Sequence, residues 1–285
     1  MAAKLSAKAV TQLAVITGAA GGMGSAIARL LGRTQRLILT DVNEAGLEEL
    51  LSALSREGFQ AEGLAGALDD PSLAEALAER CAQTGIIRSV VNAAGLSPAQ
   101  ADWQSIIRAN SIGPVRLLDA LEPFLGPGAA CVMIASVAGH LGPQDSTIES
   151  LLDDPLQPAL FAALEPRLAA LAGTLGGKME SHAYSFSKRA IIRLCEQRAL
   201  DWGTKGARII SLSPGVIATS MGRKEAASGD RAQAMIDATP ARRWGRAEDI
   251  AAAAEFLLSD AASYITGCDL RVDGGAVAAM RGRAF

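Results

Sequence analysis

The sequence contains few aromatic residues and few cysteines. Phe, Trp and Tyr make up 4% of the 285 residues, and only two of them are tyrosines. The four cysteines are scattered, with neither a CxxC pair nor the spacing of metal ligands: Cys81, Cys131, Cys195 and Cys268. These features argue against a disulfide-rich scaffold and a cysteine-based zinc site. We therefore expect reduced, buried thiols and no bound metal.

Neither sign of charge is in excess, and long hydrophobic runs are missing. Lys and Arg number 27 against 30 Asp and Glu, so the net charge is −3. A nucleic-acid-binding surface needs a concentrated basic patch. The apolar runs are much shorter than the ~18–20 residues that cross a bilayer, and residues 1–12 lack the apolar core of a signal peptide. We expect a cytoplasmic protein that binds neither nucleic acid nor a membrane.

Short apolar runs alternate with longer helical patterns along the chain. The runs predict strands at 13–17, 36–40, 86–92, 129–136, 207–213 and 268–273, with a weaker one near 60–66. Helices are predicted near 23–33, 43–57, 71–83, 102–125, 181–203 and 247–259. This alternation predicts an α/β fold, namely a single doubly wound Rossmann-type domain over residues 1–285. Its sheet has seven parallel strands with helices on both faces.

A glycine-rich turn, TGAAGGMG, follows the first predicted strand at residues 17–24. Glycine lets the backbone approach a pyrophosphate closely, and the helix that follows offers free N–H groups to the phosphates. The alternative is an ordinary strand-to-helix turn. Asp41, 17 residues beyond Gly24 at the end of the second strand, favours a dinucleotide because a carboxylate there accepts both ribose hydroxyls. The alternative for Asp41 is a helix N-cap, a role that Asn43 also fits.

Tyr184 and Lys188 are four residues apart on a predicted helix and share one face. A free tyrosine has a pKa of about 10, and an ammonium group within ~4–6 Å lowers such a pKa by about 1–3. The tyrosinate then takes a proton from a substrate hydroxyl while hydride leaves the same carbon, and in reverse the phenol protonates a ketone. A YxxxK pair alone is common by chance, and its alternative is a surface pair.

Other polar and glycine residues follow the predicted strands. Ser136 stands at the carboxyl end of one strand, where ligands bind in open parallel sheets. Asn110 lies in the long helix before that strand, and the sequence NAAG ends the fourth strand. Ser213-Pro214-Gly215 and Thr219 follow the sixth strand and suit a loop that covers a cofactor.

Together these motifs make the chain resemble a short-chain dehydrogenase/reductase from Leu13 to about Gly275. The motifs that carry the resemblance are TGAAGGMG, Asp41, NAAG, Asn110, Ser136, YSFSK, SPGVIAT and ITGCDLRVDGG. The resemblance implies an oxidoreductase that transfers a hydride between NAD(H) and a small-molecule substrate, an apolar secondary alcohol or ketone. A dehydratase or epimerase on the same fold and a non-catalytic dinucleotide-sensing or scaffold protein remain alternatives.

The resemblance also implies roles for individual residues. Tyr184 is the acid/base, Lys188 lowers its pKa and holds the nicotinamide ribose, and Ser136 hydrogen-bonds the reacting oxygen. Asn110 holds a water that continues the proton relay. The implied cofactor-binding residues are Gly18, Gly22, Met23, Gly24, Asp41, Asn92, Ala93, Gly95, Tyr184, Lys188, Pro214, Gly215, Val216 and Thr219.

The chain departs from the family pattern at three places. Ala67 stands where the family usually has an adenine-binding Asp, so either backbone groups alone or Asp69 meets the adenine. Ala93 replaces a common second Asn. Ser136 and Tyr184 are 48 residues apart, because residues 140–180 form an insertion. The insertion and the C-terminal sequence resemble the bacterial 3α-hydroxysteroid dehydrogenase/carbonyl reductase branch.

The insertion is predicted to be helical because LFAALEPRLAALAGTL is too apolar for a solvated loop, while Pro155, Pro158 and Pro166 limit its helices to short pieces. We expect its apolar side chains to pack over the helices at 102–125 and 181–203 and to form part of the substrate-pocket wall. These side chains are Leu151, Leu152, Leu160, Phe161, Leu164, Leu168 and Leu171. A solvent-facing flap is the alternative.

Because family tetramers commonly pair those two helices, we expect the insertion to leave association to residues 247–275, giving a C₂ homodimer with a homotetramer as the alternative. Residues 216–245 are expected to form a substrate lid, with Trp244 beside it. Trp103 and Trp202 are expected to pack in the core. His140 and His182 flank the insertion and are expected to be solvent-exposed or to cap helices, with substrate binding as the alternative.

Overall fold

The computed structural model describes residues 11–227 and 236–282. Seven parallel strands form one sheet in the order β3-β2-β1-β4-β5-β6-β7. The strands are β1 Gln12–Thr17, β2 Arg36–Asp41, β3 Ala61–Ala65, β4 Ile86–Asn92, β5 Leu125–Ile134, β6 Arg208–Pro214 and β7 Asp269–Val272. The strand order reverses between β1 and β4, and in open α/β sheets the crevice outside the carboxyl ends at this point binds ligands. The predicted fold class is confirmed.

Helices cover both faces of the sheet. They are α1 Gly22–Leu31, α2 Glu44–Arg56, α3 Pro71–Thr84, α4 Trp103–Ile107, α5 Gly113–Leu121, α6 Ala138–Leu141, α7 Ser146–Asp153, α8 Leu160–Leu175, α9 Met179–Thr204, α10 Ser220–Ala227, α11 Ala247–Leu258 and α12 Ala276–Gly282. Several begin at residues whose side chains accept a hydrogen bond from the first turn, the preferred N-cap arrangement. Those residues are Asn43 for α2, Asp70 for α3, Asp102 for α4 and Asp145 for α7.

The alternation of side chains along the strands creates a core on each face of the sheet. In β1, Leu13 and Val15 join the cluster that packs against α3, α5 and α9. Ala14 and Ile16 point the other way, into the cluster formed with α1, α2 and α11. Strands of a parallel sheet covered on both faces are apolar throughout for this reason. The same property made the strands recognisable in the sequence.

The long helix predicted at 102–125 is not continuous. α4 passes into a π-helical segment, Arg108–Ile112, and then into α5, which is followed by a 3₁₀ turn at Glu122–Phe124. π-helical segments of this kind occur frequently at functional sites. This one contains Asn110, one of the predicted catalytic residues.

The insertion consists of α7 and α8, which pack on α4 and α9. Of its seven predicted apolar residues, Leu152, Leu160, Leu164 and Leu168 are buried and the other three are half-buried. They contact Trp103 and the α9 residues Ala183, Phe186 and Ala190 in a third cluster. At about 1.5–3 kcal/mol per fully buried large apolar side chain, this contact favours the docked position over a solvent-facing flap.

We expected Pro166 to limit its helix to a short piece, and this expectation is wrong. It lies inside α8, a helix of 16 residues. Proline removes the hydrogen bond from its own nitrogen to the carbonyl four residues earlier, here that of Ala162. Both residues are exposed, so water can satisfy the carbonyl and the helix continues.

Three of the four cysteines are buried as expected, and burial raises the pKa of the Cys81 thiol to about 12. Cys268 is exposed instead, because it immediately precedes the edge strand β7. Trp103 and Trp202 are buried in the core, and Trp244 is half-buried.

The predicted lid, 216–245, is described except for residues 228–235. Its two ends meet, since Gly245 N donates to Val216 O over 2.9 Å and Ala218 N donates to Gly245 O over 2.8 Å. These bonds anchor both ends of the segment beside the carboxyl end of β6.

Candidate active site

A cavity of about 790 Å³ opens at the carboxyl edge of the sheet. Ten of the predicted site residues line it: Met23, Ala93, Gly95, Ser136, Tyr184, Lys188, Pro214, Gly215, Val216 and Thr219. Six others lie outside its lining: Gly18, Gly22, Gly24, Asp41, Asn92 and Asn110. The sequence motifs therefore converge on one edge, although not every residue faces the same space.

The glycine-rich turn between β1 and α1 packs directly on the NAAG segment. Gly18 has φ +63°, and a Cβ there would lie 2.5 Å from Ala94 N. Only glycine fits this contact without displacing backbone. α1 then begins at Gly22 without a side-chain cap, and a Cβ at Gly22 would lie 2.8 Å from Cγ2 of Thr219. The turn is thus a narrow cradle, with the loop after β6 lying against it.

Asp41 accepts hydrogen bonds from that turn. Its Oδ2 accepts from Ala20 N over 2.9 Å, and its Oδ1 accepts from Asn43 N over 2.9 Å. The N-cap of α2 is Asn43, whose Oδ1 accepts from Gly46 N over 3.2 Å. Of the two interpretations of Asp41, the helix cap is therefore wrong. The carboxylate is half-buried at the end of β2, beside the glycine turn.

Asn92, the last residue of β4, is hydrogen-bonded to β1. It is 1% exposed, and its Oδ1 accepts from the Thr17 hydroxyl over 2.7 Å. That hydroxyl oxygen in turn lies 3.3 Å from Ala94 N, which donates to it. The bonds join β1 to the NAAG segment across the point where the strand order reverses.

Asn110 binds the NAAG loop to α9. Its Oδ1 accepts from Leu96 N over 2.8 Å, and its Nδ2 donates to Leu96 O over 3.0 Å and to Ser187 Oγ over 3.1 Å. The residue is 1% exposed. Gly95 completes this contact, because a Cβ there would lie 3.0 Å from Asn110 Oδ1 and 3.3 Å from Lys188 Nζ. The predicted water relay through Asn110 stays a prediction.

Tyr184 and Lys188 lie one turn apart on α9, and both face the cavity. Lys188 is 6% exposed, its Nζ donates to Ile134 O over 3.0 Å, and it lies 5.9 Å from the centre of the Tyr184 ring. Ser136 follows two residues after the end of β5, and its Oγ accepts from Ala138 N over 3.1 Å. A serine hydroxyl, a phenol and a buried ammonium group therefore meet in one cavity.

The outer wall of the cavity is largely apolar. The insertion contributes Leu141–Pro143 and Leu175–Gly177 to it. Further apolar lining comes from Leu96, Pro98, Ala99, Met221 and Met280. The sequence analysis did not identify these last five residues, since loops and the C-terminal helix carry no motif that marks a pocket wall.

Neither histidine is solvent-exposed, so that part of the expectation is wrong, whereas the bond of His182 to Gly176, the residue that ends α8, agrees with a capping role. His182 is 8% exposed, lines the cavity, and donates from Nε2 to Gly176 O over 2.9 Å. His140 donates from Nε2 to Asp269 Oδ2 over 2.8 Å. Tertiary structure brings each histidine to its hydrogen-bond partner. The turn that ends the insertion folds back onto His182, and β7 places Asp269 beside His140.

The region predicted to meet the adenine lies at the start of α3. Asp70 caps this helix, and its amide donates to Ala67 O over 3.0 Å. Ala67 is exposed and Asp69 half-buried. Which of them contacts adenine stays a prediction.

Within residues 11–227 and 236–282, no helix is both long enough and apolar enough to span a membrane. In the same part of the chain, no group of three or more His, Cys, Asp or Glu side chains is placed to hold a metal ion.

Comparison with known proteins gives consistent matches. Residues 12–147 match the family described as short chain dehydrogenase, and residues 168–277 match the family described as enoyl-(acyl carrier protein) reductase. The chain is 32% identical over 278 residues to a short-chain dehydrogenase/reductase of Alternaria brassicicola, covering 94% of this chain and 97% of that one.

Two further matches bear on the substrate. The chain is 31% identical over 281 residues to the 3-alpha-hydroxysteroid dehydrogenase/carbonyl reductase of Comamonas testosteroni, covering 95% of this chain and 98% of the relative. It is also similar to the crystal structure of a short-chain dehydrogenase/reductase of Brucella melitensis described as a glucose/ribitol dehydrogenase. That match has a TM-score of 0.72 at 26% identity and covers 93% of this chain and 96% of the other.

Proposed function

The chain belongs to the short-chain dehydrogenase/reductase family, and we propose that it transfers a hydride between NAD(H) and an apolar secondary alcohol or its ketone. The observation that carries this proposal is the convergence of Ser136, Tyr184 and Lys188 on one cavity. That cavity opens at the strand-order reversal, beside a glycine cradle and a carboxylate. Membership in the family makes the protein an oxidoreductase that binds a nicotinamide dinucleotide.

The cradle fits the pyrophosphate of such a cofactor. Gly18 and Gly22 lack the Cβ atoms that would collide with Ala94 and Thr219, so the turn closes tightly at the N-terminus of α1, where a phosphate would bind. The N-terminus of α1 carries a partial positive charge and N–H groups that favour an anion. Val216 and Thr219, from the loop after β6, would hold the nicotinamide end of the cofactor. When bound, the nicotinamide ring donates or accepts the hydride.

Asp41 supports NAD over NADP. Its carboxylate lies beside the glycine turn, where we expect the ribose of the adenosine to bind, and ribose hydroxyls donate to carboxylate oxygens. A 2′-phosphate would bring negative charge beside it. One pair of unit charges about 4 Å apart is unfavourable by roughly 4 kcal/mol at an effective dielectric constant of 20, and solvent reduces this value.

Three side chains would handle the proton. In ketone reduction Tyr184 Oη donates its proton to the carbonyl oxygen of the substrate while the carbonyl carbon accepts the hydride. Ser136 Oγ donates a hydrogen bond to the same oxygen and so stabilises its developing negative charge. The buried ammonium group of Lys188 stabilises the tyrosinate that remains. Alcohol oxidation uses the same groups in reverse.

The apolar outer wall supports an apolar substrate. Leu96, Leu141, Pro143, Leu175 and Met280 line the same cavity as Tyr184, and apolar walls favour ligands that bury carbon rather than hydroxyl groups. A dehydratase or epimerase on this fold remains the alternative enzyme. A non-catalytic dinucleotide-binding protein has less support. Such a protein has no need of the hydroxyl groups of Ser136 and Tyr184 or of the buried Lys188 beside Tyr184.

The proposal is tested by following the reduced-nicotinamide absorbance with purified protein and a panel of steroid, aromatic, aliphatic and polyhydroxy ketones. We expect NADH oxidation with cyclic or aromatic ketones, little with polyhydroxy ketones, and loss of turnover in Tyr184→Phe. Turnover that is best with polyhydroxy ketones would contradict the apolar substrate. NADH binding with no turnover on any ketone would favour the non-catalytic alternative.

A further inference from the structure

His140 lies behind the wall of the candidate active site, in a buried polar network. It is the third residue of α6, four residues after Ser136. Its Nε2 donates to Asp269 Oδ2 over 2.8 Å and lies 3.3 Å from Ser213 Oγ. The side chains of His140 and Asp269 are 18% and 8% exposed. The network thus connects α6 to the ends of β6 and β7.

The other oxygen of Asp269 is also bonded. Its Oδ1 accepts from Ser211 Oγ over 2.6 Å and from Ser213 Oγ over 2.9 Å. A buried carboxylate is stable only when such donors replace its water. Removing His140 would leave Asp269 with one oxygen unpaired in a nearly dry site, which is strongly unfavourable.

The backbone of His140 also holds the C-terminal helix α12. Its carbonyl oxygen accepts from a guanidinium nitrogen of Arg281 over 3.1 Å. At the other end of α12, the Asp273 carboxylate accepts from Gly275 N and Val277 N, each over 2.9 Å. α12 is therefore bonded near both ends, to β7 through Asp273 and to α6 through Arg281.

Three of the connected elements supply the wall of the cavity. α6 contributes Leu141, the end of β6 contributes Pro214 with Gly215 directly after it, and α12 contributes Met280. Met280 precedes Arg281 in α12, so the bond from Arg281 to His140 O holds the turn of the helix that carries Met280. Methionine is flexible and fills irregular apolar space, so its position depends on how the helix is held.

We propose that His140, Asp269 and Arg281 are positioning residues that fix α12, and that Met280 is a specificity-determining residue of the substrate cavity. The kinetic part of this inference rests on the proposed function. Large cyclic ketones reach the wall formed by Met280, whereas small ketones bind near Tyr184 without touching it. Disturbing the anchor of α12 therefore changes the KM for large ketones and leaves the cofactor site as it was.

Arg281→Met and Met280→Ala test the kinetic part, because Arg281 is exposed and its loss leaves the fold intact. We expect each to raise KM for a large cyclic ketone about fivefold or more, with KM for a small ketone and the NADH Kd within about twofold. In the Met280→Ala background, adding Arg281→Met should change KM by less than about twofold, because both act through one contact. Arg271→Met, on β7 and exposed, is the control for the charge change and should leave all values as in the wild type.

Hydrogen exchange tests the anchor without any substrate. We expect the amides of α12 to exchange about tenfold faster in His140→Phe and in Arg281→Met than in the wild type, and unchanged in Arg271→Met. Unchanged exchange in both variants would overturn the positioning role, and a KM effect of Arg281→Met that persists in Met280→Ala would overturn the role of Met280. If the wild type reduces no ketone, the proposed function fails, and the exchange result still decides whether the anchor exists.

Discussion

The ammonium group of Lys188 lies 5.9 Å from the centre of the Tyr184 ring and donates to the carbonyl oxygen of Ile134, the last residue of β5. The strand that leads to Ser136 thereby holds the lysine that faces the tyrosine. Because α9 carries both Tyr184 and Lys188, the helix and β5 together fix all three groups. The account of function depends on this arrangement.

Tyr184→Phe removes the hydroxyl group and keeps the ring. We expect turnover to fall by at least ~10², the usual loss for a general acid/base, while NADH still binds. Steady-state turnover and cofactor titration measure the two effects separately. Turnover within tenfold of the wild type would mean that another group carries the proton.

Lys188→Ala should be at least as damaging as Tyr184→Phe. It removes the charge beside the tyrosine and a predicted contact to the nicotinamide ribose, so both kcat and the NADH Kd should worsen. The matched control is Lys205→Ala, which lies just after the far end of α9 and forms a half-buried ion pair with Glu122. A Lys188→Ala enzyme with wild-type kcat would contradict the assigned role.

Asp41 is expected to favour NADH over NADPH by roughly ten- to a thousandfold in kcat/KM, each factor of ten being ~1.4 kcal/mol. Asp41→Asn keeps the size and one acceptor oxygen while removing the charge, so the preference should shrink by at least about tenfold. Glu44→Gln, an exposed acid in the first turn of α2, is the control for a simple change in net charge. Equal kcat/KM for the two cofactors in the wild type would show that this interpretation of Asp41 is wrong.

Acid should weaken the attachment of the insertion. The Arg193 guanidinium, which donates to Asp153 over 2.8 Å, holds the pKa of that carboxyl below its usual range. A carboxyl whose pKa is depressed in the folded state adds stability above its unfolded pKa and loses it as the pH falls through the folded value. Because both side chains are partly exposed, Asp153→Asn should lower the free energy of unfolding by only about 0.5–1 kcal/mol at pH 7.

That difference should shrink as the pH falls below the folded-state pKa of Asp153, because the wild-type carboxyl then becomes protonated too. Urea unfolding at several pH values measures it, and Asp154→Asn, an exposed neighbour, is the matched control. A difference that is independent of pH would show that the Asp153–Arg193 pair does not hold the insertion electrostatically.

The assembly is expected to be a C₂ dimer. The insertion covers α4 and α9, and the region from α11 to β7 presents exposed Phe256, Tyr264 and Leu270. We expect light scattering to give the mass of a dimer and Tyr264→Glu to shift it toward the monomer, because a charge placed in a buried interface is unfavourable. A tetramer in which the helices at 102–125 and 181–203, here α4 to α5 and α9, meet their symmetry mates would contradict this prediction.

The parts of the fold that follow local patterns could be predicted from the sequence. β1 and the other inner strands are largely apolar because both faces of the sheet are covered there, whereas the edge strands β3 and β7 carry polar residues. Chemistry also sets the spacing of two motifs. Asp41 follows the glycine turn at the distance that a dinucleotide requires, and Tyr184 and Lys188 are one helical turn apart. Seven apolar positions in the insertion indicated that it packs on the domain.

What the sequence left undetermined depends on distant contacts or small changes in helical geometry. No glycine or proline lies between Trp103 and Ile112 to mark the change from α-helix to the π-helical segment around Asn110, so the stretch was predicted as one α-helix. Asp269 is 129 residues from His140, and only the sheet order brings them together. Met280 lines the cavity for the same reason, since the position of α12 follows from its bonds to Asp273 and from the bond of Arg281 to His140 O.

The central claim is that hydride passes from NADH to a ketone carbon while Tyr184 protonates the oxygen. NADH carrying deuterium at both C4 positions of the nicotinamide tests it most directly, with mass spectrometry of the alcohol formed from a cyclic ketone. The account predicts one deuterium on the carbinol carbon with the wild type and no alcohol above background with Tyr184→Phe. Alcohol formed without deuterium, or formed equally well by Tyr184→Phe, would contradict it.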